Sequence, residues 1–298
     1  MKKFICISFM VLVFAFCLCG CQIFSVFNGE EKSDEDIYYA DGNQVYYKTD
    51  NGTELVCAEE EDIRKLVVVD EAAYYSVSDE YGYNFAIKYI PSGSNAPKTL
   101  IAMDDQMNDW VIYDKYIFFS VNMILYRYSI TDSTTELIDL CVNTFDCYNG
   151  YVYFIDHASR TFTIYRLPID ATENDKQEVF LGNNIYNRED PKELISNFVI
   201  TKNGDIVYTQ RVPYGLYIYS DGKTELIVAS DRIDENRLIH DDGNIYYVIK
   251  DDGFGTLYCY TDKKECKQIA QLQDYSELVS VKNGRYSYKN TSGELITQ

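Results

Sequence analysis

One phrase recurs about seven times along the chain: an aromatic strand, a tight polar turn, a second aromatic strand and a short apolar strand. It is clear in IYYADGNQVYYKTDNGTELV at 37–56 and in IFFSVNMILYRYSITDSTTELI at 117–138. A period near 40 residues is typical of proteins that stack copies of one supersecondary unit. The first aromatic strands centre on Tyr38, Tyr74, Phe118, Tyr153, Tyr208, Tyr246 and Tyr286, at intervals of 36, 44, 35, 55, 38 and 40 residues.

Each unit is predicted to be a four-stranded antiparallel meander. A short strand precedes most of the aromatic strands, and turns such as Tyr148-Asn149-Gly150 join the two. Asn-Gly supplies the positive φ that two-residue hairpin turns require. Apolar residues on both faces of a meander are buried only by neighbouring units, and a ring of units leaves only short, protected edges. The sequence therefore predicts an all-β fold, a β-propeller with four-stranded antiparallel blades.

Seven repeat centres favour seven blades, with six as the alternative. The first unit (37–56) and the last unit (278–297) both read as three strands. If the two ends completed one blade between them, six blades would result. Helical turns are expected only at Glu59–Arg64 and Asn187–Ser196. The second segment falls in the longest interval, and we expect the insertion 183–196 to project from one face and carry contacts.

The N-terminus has the pattern of a secretory signal. Lys2 and Lys3 precede an apolar run from Phe4 to Gly20. The run ends in Leu18-Cys19-Gly20-Cys21-Gln22, which resembles the bacterial lipobox. That resemblance implies a lipoprotein signal peptide at 1–20 and an acylated Cys21 that attaches the chain to the membrane. The alternative is an uncleaved anchor helix, and either interpretation places the folded part outside the cytoplasm, on the cell envelope.

Two regions are expected after the signal. Residues 21–36 would form the acylated cysteine and an acidic flexible tether, because their second half is charged and lacks aromatic residues. Residues 37–298 would form a single β-propeller domain.

The chain is strongly acidic, with a formal net charge of −20. Removal of Lys2 and Lys3 with the signal would make it −22. Such a surface repels nucleic acid, so no nucleic-acid partner is expected. Acidity is commonly a solubility feature of exported proteins, and we expect a monomer. Attraction of a cationic partner is the alternative.

Five cysteines follow Cys21: Cys57, Cys141, Cys147, Cys259 and Cys266. An odd number cannot pair completely within one chain. Cys259 and Cys266 flank a hairpin turn and are a candidate disulfide, and Cys141 with Cys147 is a second. The alternative is that all are small buried thiols. No CxxC pair is present, so no zinc site is predicted.

The sequence contains no catalytic motif. Its two histidines, His157 and His240, fall in different repeats, and nucleophile-elbow, HExxH and P-loop patterns are absent. No catalytic residue, cofactor or metal ligand is therefore predicted, although Asp pairs such as Asp104-Asp105 leave calcium open. Most of the 29 tyrosines are expected to pack between blades. Four in loops are candidates for recognition: Tyr81, Tyr83, Tyr186 and Tyr214.

The repeated phrase IYY-x-(D/N)-G … LY(R/K/I)Y … TELI also resembles a known family. Ile37–Val56, Tyr116–Ile138 and Ile245–Tyr260 match it well. The phrase is similar to that of uncharacterised bacterial β-propellers related to the low-density-lipoprotein-receptor type. The resemblance implies a propeller in an exported lipoprotein without an assigned activity. The receptor phrase Tyr-Trp-Thr-Asp is missing, and no functional residue carries over.

The function predicted from the sequence is non-catalytic. We expect a cell-surface lipoprotein that binds or scaffolds an extracellular protein or glycan through one propeller face. The alternative is an envelope-associated carbohydrate-active enzyme that uses carboxylates at the mouth of the propeller channel.

Overall fold

The chain folds into a seven-bladed β-propeller. The computed structural model describes residues 38–49, 52–79, 81–156, 163–171, 175–180, 195–211, 213–241, 243–261, 263–282 and 284–298. Within these residues, 26 strands form seven antiparallel sheets, and strands that are consecutive in sequence are neighbours in each sheet. No α-helix occurs in the described part of the chain. The predicted signal peptide, Cys21 and the predicted tether lie outside it.

Five blades have four strands and the two end blades have three. The first four blades are blade 1, β1 (Tyr38–Asp41), β2 (Gln44–Thr49), β3 (Gly52–Ala58); blade 2, β4 (Ile63–Val69), β5 (Ala72–Val77), β6 (Phe85–Ile90), β7 (Lys98–Met103); blade 3, β8 (Met107–Tyr113), β9 (Tyr116–Val121), β10 (Ile124–Ser129), β11 (Thr134–Leu140); blade 4, β12 (Val142–Tyr148), β13 (Tyr151–Asp156), β14 (Thr163–Pro168), β15 (Gln177–Phe180). The last three are blade 5, β16 (Ile195–Ile200), β17 (Ile206–Arg211), β18 (Tyr214–Ser220), β19 (Lys223–Ala229); blade 6, β20 (Ile233–Asp241), β21 (Asn244–Asp251), β22 (Phe254–Tyr260), β23 (Cys266–Gln273); blade 7, β24 (Tyr275–Lys282), β25 (Arg285–Asn290), β26 (Leu295–Thr297).

The prediction of seven blades is confirmed. Blades 1 and 7 are separate sheets, so the two ends of the repeat do not share a blade. Tyr38 lies in β1 and Tyr74 in β5, which shows that β1 corresponds to the second strand of a full blade. Blade 1 thus shows the second to fourth positions within the described residues, and blade 7 the first to third.

The helical turn expected at Glu59–Arg64 is wrong. This segment is irregular until β4 begins at Ile63. The amides of Glu59 and Ile63 donate to the carbonyls of Asn43 and Gly42, at 2.8 and 2.9 Å. These bonds link the segment to the β1–β2 turn. In a helix, each amide would instead bond to the carbonyl four residues before it. The second expected helical segment is outside the described residues up to 194, and Ile195 and Ser196 begin β16.

The apolar core lies between blades, as the sequence predicts. Six clusters of buried residues each join two consecutive blades, for example Tyr74 and Phe85 of blade 2 with Trp110 and Phe119 of blade 3. Aromatic residues pair directly across the second and third strands of six blades: Tyr39–Tyr46, Tyr74–Tyr89, Phe119–Tyr126, Phe154–Tyr165, Tyr208–Tyr217 and Tyr247–Tyr258.

The blade topology gives the ring two distinct faces. First strands of consecutive blades pack against each other, as β12 does with β16 and β16 with β20, and surround the channel. We call the lower face the side that carries the connections from first to second and from third to fourth strands. The upper face carries the connections from second to third strands and those between blades.

Candidate binding face and central channel

The loop between β5 and β6 presents two tyrosines on the upper face. Tyr81 and Tyr83 are 69% and 43% exposed. The Asp79 carboxylate accepts hydrogen bonds from the amides of Tyr81 and Tyr83, at 3.0 and 2.8 Å, and from the Asn84 side chain at 3.2 Å. Asp and Asn side chains commonly stabilise turns in this way. We call Asp79 and residues 81–84 the tyrosine loop.

Contacts with the flanking strands hold the tyrosine loop in place. The Arg64 guanidinium donates to the Asp79 carbonyl at 2.7 Å and to the Ser78 hydroxyl at 3.2 Å. From blade 3, the Gln106 side chain donates to the Tyr81 carbonyl at 3.3 Å. A loop fixed from both sides loses less conformational entropy when it binds a partner.

A second polar cluster lies on the upper face at blades 5 and 6. The Glu235 carboxylate accepts from Arg211 Nε at 2.5 Å and from the Ser196 hydroxyl at 3.0 Å. Arg211 is paired across the hairpin with Tyr214, which is 45% exposed. This cluster places a third exposed tyrosine on the same face as the tyrosine loop.

Exposed large apolar side chains are unevenly distributed among the described residues. Tyr81, Tyr83, Tyr214 and Leu140 are at the upper face. Others lie along blade strands, mostly on the outermost ones: Tyr39, Leu55, Leu137, Leu226 and Ile269. The connections of the lower face contribute none within the described part of the chain. Exposed aromatic residues mark the upper face as the candidate recognition surface.

A ring of polar residues surrounds the channel below the upper face. In each first strand a register irregularity follows its opening residues, as between Ile63 and Lys65 of β4. Polar side chains occupy the corresponding site in six blades: Lys65, Asp109, Thr144, Asn197, Arg237 and Glu277. β-Bulges re-aim side chains in this way. We call these six residues the channel ring.

Two ion pairs join neighbouring blades within the channel ring, the first buried and the second with Glu277 25% exposed. Lys65 Nζ lies 3.0 Å from Asp109 Oδ1, and both residues are more than 90% buried. Arg237 pairs with Glu277, to which Lys289 Nζ also lies 3.7 Å away. Burial raises the pKa of Asp109, although Lys65 and, from three blades away, Arg237 lower it.

Asp146, beside the channel ring on β12, is a carboxyl group whose pKa is raised close to neutrality. Its carboxylate accepts from the amides of Cys147 at 2.8 Å and Ile200 at 3.1 Å. Enclosure by protein raises its pKa to about 7; the two amides oppose the rise and Asp109 adds to it. Burial likewise raises the pKa of the Cys147 thiol well above its usual range, which makes this thiol unreactive.

The structure places the other predicted residues as follows. His240 is buried in β20, whereas His157, Tyr186 and most of the 183–196 insertion are outside the described residues. The insertion joins β15 to β16, whose connected ends are at the upper face. No cluster of three or more metal-ligating side chains occurs in the described ranges. Those ranges also contain no helix of the length and hydropathy needed to cross a membrane.

The candidate disulfide between Cys259 and Cys266 is not formed. All five described cysteines are free, including Cys141 and Cys147. The hairpin register places Cys266 opposite Tyr260 and Cys259 opposite Lys267. Because neighbouring residues of a strand point to opposite faces, Cys259 is directed into the blade 6–7 core and Cys266 is not. Sequence spacing alone does not reveal this register.

The channel ring was not predicted from the sequence. No single one of its residues belongs to a sequence motif. Five of the six residues lie nine positions before the aromatic centre of their unit, whereas Asn197 lies eleven positions before Tyr208. Their charges alternate in part, from Lys65 to Asp109 and from Arg237 to Glu277, which indicates pairing between blades.

Comparisons with known proteins support the fold. No protein family matches the chain, and no curated protein matches it. Among solved structures, it is similar to PorZ, a surface component of the type-IX secretion system of Porphyromonas gingivalis, with a TM-score of 0.59 and 9% identity over 87% of this chain. The chain spans 35% of the length of PorZ.

Two further solved structures differ from PorZ in their roles. Virginiamycin B lyase from Staphylococcus aureus has a TM-score of 0.52 and 9% identity, over 80% of this chain and 85% of the lyase. The extracellular domain of a putative one component system from B. thetaiotaomicron has a TM-score of 0.54 and 14% identity, over 88% of this chain and 35% of that one. At such identities the likeness shows the propeller fold alone.

Proposed function

We propose that this chain is a lipid-anchored cell-surface protein whose upper propeller face binds or scaffolds an extracellular protein or glycan. The observation that carries the proposal is the tyrosine loop. Tyrosine offers a rigid apolar surface and a hydroxyl group, and is favoured at recognition surfaces. In this loop, Asp79 and Arg64 hold Tyr81 and Tyr83 outward before any partner arrives.

The proposal includes the location. Acylation of Cys21 would attach the chain to the outer side of the cytoplasmic membrane, and residues 22–36 would act as a tether. Two of the similar solved structures are described as a bacterial surface component and an extracellular domain, and the proposal gives this chain a comparable location. Mass spectrometry of the N-terminal peptide should find a lipid on Cys21, and a chain that retains residues 1–20 would contradict the anchor.

Position-specific cross-linking tests the binding face. A photoreactive phenylalanine analogue replaces Tyr83 in the full chain, expressed in cells and irradiated. The matched control carries the same analogue at Leu137, which is 49% exposed on an outer strand, compared with 43% for Tyr83. A product that forms from position 83 and not from position 137 supports the proposal. Equal products from both positions, or none from position 83, contradict it.

A second candidate function is an envelope enzyme that acts on polysaccharide. The observation that favours it is Asp146, whose pKa of about 7 suits a general acid or base, beside the ring carboxylate of Asp109. The full chain is incubated with cell-wall glycan, and new reducing ends are measured. Turnover that Asp146→Asn abolishes would establish the enzyme and refute the binding role as the main function.

A further inference from the structure

A cavity on the lower face has the chemistry of a ligand site. It lies on the face opposite to the tyrosine loop. It occupies about 310 Å³ between blades 2 and 3. Its lining comes from the β4–β5 and β8–β9 turns and from the starts of the β6–β7 and β10–β11 connections. All four connections belong to the lower face. The volume accommodates a molecule of roughly ten to fifteen non-hydrogen atoms, at the small end of ordinary ligand sites.

The walls and floor of the cavity are apolar and aromatic. Val69, Ala72 and Ile112 line it together with Tyr74 and Tyr89, whose ring centroids are 4.8 Å apart. Only 8% of the surface of Tyr74 is exposed. Its hydroxyl has no hydrogen-bond partner among the described residues. An aromatic pair with a free hydroxyl offers both an apolar contact and a polar one.

Two carboxylates at the rim have no partner within the described part of the chain. Asp70 and Asp114 make no hydrogen bond or ion pair with any described residue. The one cation of the lining, Lys115, directs its ammonium group to Asp170 at 3.2 Å. The pKa of Tyr74 is raised to about 12, mainly by burial, then by Tyr89, and also by the negative charge of Asp70. The charge of Asp70 therefore acts on the interior of the cavity. The net charge of −20 on the chain adds a long-range attraction for cations.

We propose that this cavity binds a small organic cation, an ammonium group carried on an apolar body. The two free carboxylates neutralise the charge, and the tyrosine pair and aliphatic wall cover the apolar part. Cations are attracted to the faces of aromatic rings. A neutral sugar would leave two unpaired carboxylates at the rim without a counter-charge, and an anion would be repelled by them.

Calorimetric titration of the full chain with tetraethylammonium tests the proposal, with glucose as the neutral probe. We expect saturable binding of tetraethylammonium that weakens at least threefold when NaCl rises from 50 to 500 mM. Asp70→Asn and Asp114→Asn should each weaken it at least fivefold. Both positions have a φ near 50°, which asparagine tolerates, so these variants are expected to fold.

The matched control is Asp221→Asn, at a turn of blade 5 with a φ of 51°. It removes the same charge at the same backbone conformation, far from the cavity in the ring, and should leave the affinity within twofold. Tyr81→Ser with Tyr83→Ser should also leave it unchanged, which separates this site from the proposed binding face. The proposal is overturned by absence of binding at millimolar probe, by equal effects of Asp70→Asn and Asp221→Asn, or by tighter binding of glucose.

Discussion

Removing one partner of the Lys65–Asp109 pair should destabilise the propeller far more than removing both. Both residues are at least 92% buried, and Lys65 donates to Asp109 Oδ1 and to the Trp110 carbonyl. Asp109→Asn keeps an acceptor for the Trp110 amide, which lies 2.7 Å from Asp109 Oδ1, but removes the carboxylate charge that pairs with the Lys65 ammonium. Breaking one side of a buried pair costs about 3–5 kcal/mol, so we expect a loss of about 3 kcal/mol in the free energy of unfolding.

The double variant Lys65→Met with Asp109→Asn should recover most of that loss. Burial raises the pKa of Asp109 despite the nearby ammonium, which means that desolvation outweighs attraction in this pair. Replacement of such pairs by uncharged groups is often neutral or stabilising. The two substitutions should therefore be strongly non-additive, with a coupling energy of at least about 2 kcal/mol, at the upper end for residues in contact.

Urea unfolding followed by tryptophan fluorescence measures both effects. The chain has one tryptophan, Trp110, which is 1% exposed and lies 5.2 Å from Lys65 Nζ. The control is the exposed pair Arg232–Asp251 at 2.8 Å, for which Asp251→Asn should cost less than about 1 kcal/mol. An equally small cost for Asp109→Asn, or a double variant that loses the sum of the single losses, would refute a desolvated channel ring.

Three further perturbations probe other parts of the account. The pKa of Asp146 is raised to about 7 in the folded state, so its contribution to stability is complete below the unfolded pKa near 4 and is lost as the pH rises to 7. Asp146→Asn should therefore reduce the decline of the unfolding free energy between pH 4 and 7 by up to about 1.4 kcal/mol per pH unit. An unchanged slope would contradict this. Gly215→Ala should lower the free energy of unfolding by about 1–3 kcal/mol, since a Cβ would lie 2.7 Å from the Val228 carbonyl oxygen. The control is Gly222→Ala, where the site is open but φ is +75°. A smaller loss for Gly215→Ala than for this control would argue against close packing at Gly215. Native-state alkylation should label the exposed Cys266 before the buried Cys259, and a protein without free thiols at these positions would instead support the disulfide.

Much of the fold follows from local chemistry in the sequence. The Asn149-Gly150 turn has φ values of 46° and 78°, which Asn and Gly adopt readily and most residues do not. Tyr208 and Tyr217 lie on one face of their strands, and this face packs against Tyr153 and Ile164 of the preceding blade. These constraints act over a few residues, and their repetition at a period near 40 leaves few architectures.

The features that were not predicted depend on contacts between distant segments. The Glu59–Arg64 segment has a local pattern suited to a helix, but hydrogen bonds to Gly42 and Asn43 of the preceding blade determine its path. The channel ring likewise arises from six separate strands. Pairing of Cys259 with Cys266 depends on which strand face each residue occupies. A shift of one residue in register would place the two thiols opposite each other.

Affinity for the partner captured by cross-linking at position 83 tests the central claim most directly. The dissociation constant is measured for the unmodified chain, for Tyr81→Ser with Tyr83→Ser, and for an outer-strand control, Leu137→Ser with Leu226→Ser. We predict at least a tenfold weaker affinity for the tyrosine-loop variant and a change of less than twofold for the outer-strand control, because aromatic anchors dominate such interfaces. Equal affinity of the tyrosine-loop variant and the unmodified chain would contradict recognition through the upper face.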